Sequence, residues 1–301
     1  MPAPVIIICG PTATGKSDLA LEVARKYNGE IINADSMQLY KGMDIGTAKL
    51  TVAERQGILH HLLDILDVSQ DASVASYQGL ARAAVDQLRA DGKAAVIVGG
   101  TGLYIKAIID EMNFPETDPA LRKKLEDEAG LLGTAELYSR LRVLDPEAAD
   151  AIEPANIRRI IRALEVIEVT GKPYSANLPS DTSLRYPDAL HIGLSMERTS
   201  LAPRIEARVH RMFDQGLVDE VKTLITQGLL EGATAQRAIG YAQVISMING
   251  DISEAQAIEE TIVATRQYVR RQETWFKRDQ RIQWIGDGVP RLPFIDERLD
   301  F

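Results

Sequence analysis

Short apolar runs alternate along this chain with longer segments in which apolar residues return every three or four positions. The runs at 5–9, 30–34, 94–98 and 190–194 are too short for helices and bounded by polar or turn residues, which predicts buried strands; a shorter run at 282–285 predicts one more. A helix is expected over 17–27, opening at Lys16. Residues 76–90 put Leu80, Ala84 and Leu88 on one helical face and close on Asp91-Gly92, while the polar, glycine-bearing stretch 41–49 reads as a loop. The turn at Gly99-Gly100-Thr101-Gly102 leads into another helix. Strand, helix and strand in this order predict a parallel sheet covered by helices.

The pattern changes over 113–187, which is charged and helical, with periodic segments at 121–128, 134–144 and 157–170 and a stop at Gly171-Lys172-Pro173. This predicts a helical insertion domain at 113–187 inside a core made of 1–112 and 188–301. The strand at 190–194 rejoins the sheet, followed by long helices at 201–227 and 253–277. No internal repeat, heptad run or low-complexity tract is present in the sequence.

Composition adds limits. The 301 residues, 45% of them hydrophobic, suffice for a sizeable core and two structural units. The single cysteine, Cys9, precludes an intramolecular disulfide and falls in the first strand, where it is expected to be buried. No charged leader precedes that strand and no apolar run nears the roughly 20 residues that span a bilayer, so a cytoplasmic protein without membrane contact is expected. A net charge of -9 argues against nonspecific attraction to nucleic acid by the molecule as a whole, though not by a local patch. One such patch lies between Arg266 and Arg281, where Arg266, Arg270, Arg271, Lys277, Arg278 and Arg281 outnumber Glu273 and Asp279. The adjacent His60 and His61 point in different directions and lack a Cys or carboxylate cluster, so a metal site is not expected there. Trp275 and Trp284 are read first as packing residues.

The first strand runs into Gly10-Pro11-Thr12-Ala13-Thr14-Gly15-Lys16-Ser17, a complete G-x-x-x-x-G-K-S phosphate loop between a strand and a helix. Its amides converge on an anion, Lys16 reaches the outer phosphates, and the Ser17 hydroxyl suits Mg²⁺. The expected architecture is therefore α/β and P-loop NTPase-like: a parallel sheet flanked by helices, with the helical insertion. Ligands of such sheets sit at the carboxyl ends of the strands. Gly10, Asp35 and Thr101 all follow strand ends, which puts them on one rim. On chemistry alone Asp35 suits an Mg²⁺ ligand, a helix cap or a general base, and Thr101 suits a helix cap or a site hydroxyl.

The stretch Asp35-Ser36-Met37-Gln38-Leu39-Tyr40-Lys41-Gly42-Met43-Asp44-Ile45-Gly46-Thr47-Ala48-Lys49 is more specific than the phosphate loop. Together with residues 10–17, the turn at 98–104, Arg162-Ala163-Leu164-Glu165-Val166, Gly240-Tyr241 and Arg271-Gln272-Glu273-Thr274-Trp275, it resembles the tRNA dimethylallyltransferases over nearly the whole chain. The resemblance implies that the loop serves dimethylallyl diphosphate rather than ATP. It implies alkyl transfer to the exocyclic amine of the adenine 3′-adjacent to the tRNA anticodon, after that base is extruded into a channel. Residues 10–17 and Arg208 would hold the diphosphate, with Mg²⁺ on Ser17; Asp35 would be the general base, and Thr101 a second catalytic residue. The matching tRNA contacts are Asp35, Ser36, Met37, Gln38, Thr101, Arg122, Arg158, Arg159 and Arg162, then Arg237, Gly240, Tyr241, Arg270, Arg271, Gln272, Trp275 and Lys277. Ile160 and Ile161, in the same helix as the arginines, are expected to pack instead. The implied partner is the tRNA anticodon stem-loop; no obligate protein partner is implied. A transferase acting on free adenine nucleotides, a small-molecule kinase using Asp35 to activate a hydroxyl, and a noncatalytic nucleotide-gated RNA binder are the competing readings.

Overall fold

A computed structural model describes residues 3–175 and 184–299. The chain divides into two units, one formed by 1–109 with 186–301 and the other by 110–185. The expected insertion at 113–187 includes 176–183, which lie outside the described residues.

The larger unit begins with β1 (Val5–Cys9), α1 (Lys16–Lys26), β2 (Glu30–Asn33), β3 (His60–His61), α2 (Val74–Ala90), β4 (Ala95–Val98) and α3 (Gly102–Ile109). In the smaller unit α4 (Pro119–Leu132), α5 (Thr134–Leu144), α6 (Pro146–Ala151) and α7 (Ile157–Thr170) pack around their own core. The larger unit then resumes with β5 (Leu190–Leu194), α8 (Arg198–Asp214), α9 (Leu217–Thr226), α10 (Tyr241–Ile248), α11 (Glu254–Phe276), β6 (Gln283–Ile285) and α12 (Arg291–Leu299).

The six strands form one sheet in the order β3-β2-β4-β1-β5-β6, and every pairing is parallel. β1 is central and completely buried, so its near-continuous apolar run is what a strand covered on both faces requires. Val5, Ile7 and Cys9 face a core shared with α2, α3 and Phe276 of α11; Ile6 and Ile8 face α1 and α12. Burial pushes the Cys9 thiol up to about 12, which makes it an inert packing group. A third core joins α9 and α10 to Tyr40 and Met43 of the 35–49 loop.

The expected strands and the α/β architecture are present. The long helix expected over 201–227 is instead two helices, because the chain turns at Gly216 with φ 100°. β3, α6, α10 and α12 were not expected. β3 is two polar residues long and has no periodicity to read: His61 pairs with the Glu30 carboxylate at 2.7 Å and His60 Nδ1 meets Ile58 O at 2.9 Å. In α12, Leu292, Ile295 and Leu299 do have helical spacing, but Pro293 interrupts the signal. Ile160 and Ile161 are buried in the core of the smaller unit, as expected. No helix among the described residues is long and apolar enough to cross a membrane.

Candidate active site

Three neighbouring strands, β2, β4 and β1, deliver the residues expected on one rim. β5 passes so close to the end of β1 that a Cβ on Gly10 would sit 2.5 Å from Leu194 O. Within the loop, Lys16 Nζ and Thr14 Oγ1 both donate to Pro11 O, at 2.6 and 2.8 Å. Desolvation pulls the Lys16 ammonium down to about 8; the Asp35 charge opposes this shift and the Arg208 charge adds to it. Burial likewise lowers the Arg208 guanidinium. Two cations and one carboxylate thus feel one another's fields at the mouth of the loop. Arg291, on α12, braces the loop from outside, donating to Thr14 O at 3.0 Å and Gly15 O at 3.4 Å.

Asp35 is held by its surroundings. Its amide donates to Asn33 Oδ1 and its Oδ1 accepts from Met37 N–H, both at 2.9 Å. Thr101 starts α3 with its carbonyl, which accepts from Tyr104 and Ile105, while its hydroxyl oxygen accepts from Ser36 N–H at 3.2 Å. That hydroxyl therefore faces the Asp35–Ser36 turn. Tyr268, pushed up to about 12 by burial and by the Asp35 charge, completes this corner, its hydroxyl donating to Gly100 O at 3.4 Å.

Two chambers open around these groups. One, of about 870 Å³, is lined by the phosphate loop with Ser17, by residues of the 44–54 segment and by Arg204, Arg208 and Arg211 on one face of α8. The other, of about 280 Å³, is lined by Ser36, Met37, Arg237, Thr265, Tyr268 and Arg271. Asp35, Thr12, Thr47 and Arg208 line both. A small carboxylate and a guanidinium therefore stand where a space lined by the glycine-bearing loop and three arginines meets a space bounded by RNA-facing candidates.

Several residues expected to touch RNA are placed otherwise. Gln272 is buried: its Oε1 accepts from Thr12 N–H at 3.0 Å and its Nε2 donates to Gly100 O at 2.9 Å. With both ends of the amide used, it ties the phosphate loop to the Thr101 turn. A Cβ on Gly100 would lie 2.2 Å from the Gln272 nitrogen, which accounts for the glycine. Tyr241 is buried too and its hydroxyl donates to Glu220 at 2.5 Å; Gly240 is buried beside it. Arg122 and Arg162 both bond the fully buried Glu165, at 2.6 and 2.9 Å. Burial alone would raise the Glu165 carboxyl, but the two guanidinium groups hold it below its ordinary range. These two arginines therefore brace the smaller unit, although the Arg122 side chain on α4 is still 41% exposed; Arg158 and Arg159 on α7 are exposed.

Arg237, Arg270, Arg271 and Lys277 are exposed, and Trp275 is 38% exposed while its ring covers Gly102. Within the basic stretch Arg266 pairs with Glu206 and Arg281 with Asp279, so those two are committed inside the protein. Gln38 Nε2 and Arg208 Nη2 both donate to Thr47 O, at 3.2 and 3.3 Å. The sequence reading missed Arg291, Tyr268 and the bridging role of Gln272. Only the last pair had a signal: Tyr268 and Gln272 are four residues apart and share a face of α11.

Comparison with known proteins bears out the resemblance. The chain is 54% identical over 289 residues to a tRNA dimethylallyltransferase of Streptomyces coelicolor, covering 96% of this chain and 92% of that one. It is 54% identical over 293 residues to the protein of the same name in Thermobifida fusca, covering 96% and 91%. Among solved structures, it is similar to a full-length tRNA isopentenylpyrophosphate transferase of Bacillus halodurans, with TM-score 0.71, 38% identity and coverage of 98% and 94%. A eukaryotic dimethylallyltransferase acting on tRNA aligns with TM-score 0.80 at 27% identity, covering 99% of this chain and 76% of that one. The model of the IPP transferase family matches residues 38–279, and with these relatives it assigns the chain to the IPP transferase family, that of the tRNA dimethylallyltransferases.

Proposed function

We propose that this chain transfers a dimethylallyl group from dimethylallyl diphosphate to the exocyclic amine of the adenine 3′-adjacent to a tRNA anticodon, releasing diphosphate. The observation that carries this reading is the meeting of the two chambers at Asp35 and Arg208. The larger chamber suits the diphosphate, held by residues 10–17 with Lys16 and by Arg208. The smaller suits an extruded adenine, since unstacking a base costs a few kcal/mol and needs a shaped recess and flanking contacts. The family assignment and the names of its members support tRNA as the acceptor. A tRNA substrate would put the enzyme's work in the cytoplasm.

In the reaction the allylic C–O bond breaks and its electron pair leaves with the diphosphate. The adenine nitrogen forms the new C–N bond, and its proton passes to the Asp35 carboxylate. Lys16 and Arg208 face the oxygens on which negative charge grows, in a partly desolvated space where such contacts are strongest. Thr101, fixed by Ser36, would orient the amine beside Asp35. The Ser17 hydroxyl also fits Mg²⁺: it lines the larger chamber and makes no hydrogen bond among the described residues. When bound there, Mg²⁺ would neutralise diphosphate charge. For tRNA, the exposed Arg158, Arg159, Arg237, Arg270, Arg271 and Lys277 are the side chains available to phosphates.

The test is incubation of the protein with labelled dimethylallyl diphosphate, Mg²⁺ and unmodified tRNA, followed by nucleoside analysis. Label on the adenine amine is the expected result, and no transfer would end the proposal. AMP competing effectively with tRNA would redirect the reading to free nucleotides, and calorimetric preference for ATP over the prenyl donor would redirect it to a kinase.

A further inference from the structure

Glu220, on α9, touches neither chamber, yet it makes a concentrated set of hydrogen bonds with the loop that divides them. Its Oε2 accepts from Ile45 N–H at 2.7 Å and Asp44 N–H at 3.2 Å; its Oε1 accepts from Gly46 N–H at 3.3 Å and from the Tyr241 hydroxyl at 2.5 Å. One carboxylate thus gathers consecutive backbone amides, an arrangement that fixes a loop more firmly than any single contact. Tyr241 closes the assembly from the other side. Its ring lies where a Cβ on Gly46 would come within 2.4 Å, so the loop can approach only because residue 46 is glycine.

The next residue after these amides is Thr47, and its carbonyl is the shared acceptor for Arg208 and Gln38. Thr47 is itself fixed, its hydroxyl donating to Met43 O at 2.6 Å. On the far side of the loop the buried Lys49 pairs with Asp44 and Asp64, at 2.7 and 2.6 Å. The 43–49 segment is therefore clamped between a carboxylate and an ammonium, and the contact it makes with Arg208 is the Thr47 carbonyl oxygen.

We infer that Glu220, closed by Tyr241, is a positioning residue for the transfer: by fixing the 44–46 amides it sets the Thr47 carbonyl and through it the guanidinium of Arg208. The inference rests on the reading that Arg208 holds the diphosphate. It also gives the Gly240–Tyr241 segment an internal role, acting on the donor side of the site. A carboxylate is required because all four bonds are accepted. In Glu220→Gln one oxygen becomes a donor facing donors, so that end loses its partners.

The experiment measures inorganic diphosphate binding by calorimetry for the wild type, Glu220→Gln, Arg208→Ala and the double variant. Glu220→Gln should weaken binding roughly tenfold, in line with the loss of charged hydrogen bonds that hold a ligand-binding group. In the Arg208→Ala background the same substitution should cost less than about twofold, because residues acting through one another do not add. A purely structural role would lower the melting temperature but leave the two losses additive, and additivity overturns the inference, as does wild-type affinity in Glu220→Gln. Should Glu220→Gln not fold, Tyr241→Phe takes its place: about threefold weaker binding supports the inference and unchanged binding overturns it. Failure of the proposed function is read separately, since a wild type that binds diphosphate in this way but transfers no label refutes only that function.

Discussion

The Thr12 amide donates a 3.0 Å hydrogen bond to the side chain of Gln272, 260 residues further along the chain. The other end of that side chain reaches Gly100 O at 2.9 Å, so one glutamine sets the distance between the phosphate loop and the turn bearing Thr101. Gln272→Ala should therefore lower kcat/KM about ten- to hundredfold through misplacement of reacting groups, as small errors in position do in other enzymes. Binding of tRNA, measured by filter retention, should change less than about twofold. A large loss of tRNA affinity with unchanged donor kinetics would return Gln272 to the RNA surface.

Asp35→Ala tests the proton transfer. Its Oδ1 holds Met37 N–H, and the proposed base function needs the carboxylate itself. Turnover should fall about 10²–10⁴-fold, the range of general-base contributions, while tRNA affinity stays near that of the wild type. Near-normal turnover would leave the residue as a turn-former only.

Lys16 gives a pH dependence with a definite sign. Its ammonium is pulled down to about 8 in the ligand-free protein, so it is charged at neutral pH and loses its proton as pH rises through that value. A diphosphate prefers the charged form. Donor affinity should hold up to about pH 8 and decline above it, by at most about tenfold per pH unit. Calorimetry from pH 7 to pH 10 should show this decline, and Lys16→Arg should flatten the profile because arginine remains protonated.

The exposed cations of α11 and its C-terminal end make a salt-dependent prediction. Arg270→Ala with Lys277→Ala should weaken tRNA binding and reduce the slope of log affinity against log salt by about 0.7–0.9 for each phosphate no longer neutralised. Turnover at saturating tRNA should be unchanged. Arg266 and Arg281 are already paired with Glu206 and Asp279, so removing either of these should leave the slope as it is.

The strand-loop-helix order of residues 5–26 could be read from sequence because each part is set locally: an apolar run, a glycine-bearing turn and an amphipathic helix. The same holds for β4 and for α7 with its capping Asn156. Spacing alone could not separate residues that touch a ligand from residues that hold those that do. Arg158 and Arg162 occupy similar places in one helix, yet Arg158 is exposed while Arg162 is bonded to buried Glu165. Gln272 and Arg271 are adjacent, and the helix turns one inward and the other out. Glu220 had no local signal, since its partners at 44–46 and 241 are brought together only by tertiary packing. The break at Gly216 was lost because apolar periodicity continues on both sides of it.

Arg291 grips carbonyls at residues 14 and 15, so the phosphate loop is synthesised well over two hundred residues ahead of the side chain that braces it. Through most of synthesis the nascent chain carries a phosphate cradle without its outer strut, and Thr12 waits equally long for Gln272. Contacts this distant in sequence form late and slowly. The consequence is that a polypeptide released before residue 272 would display the G-x-x-x-x-G-K-S motif without either of these long-range braces.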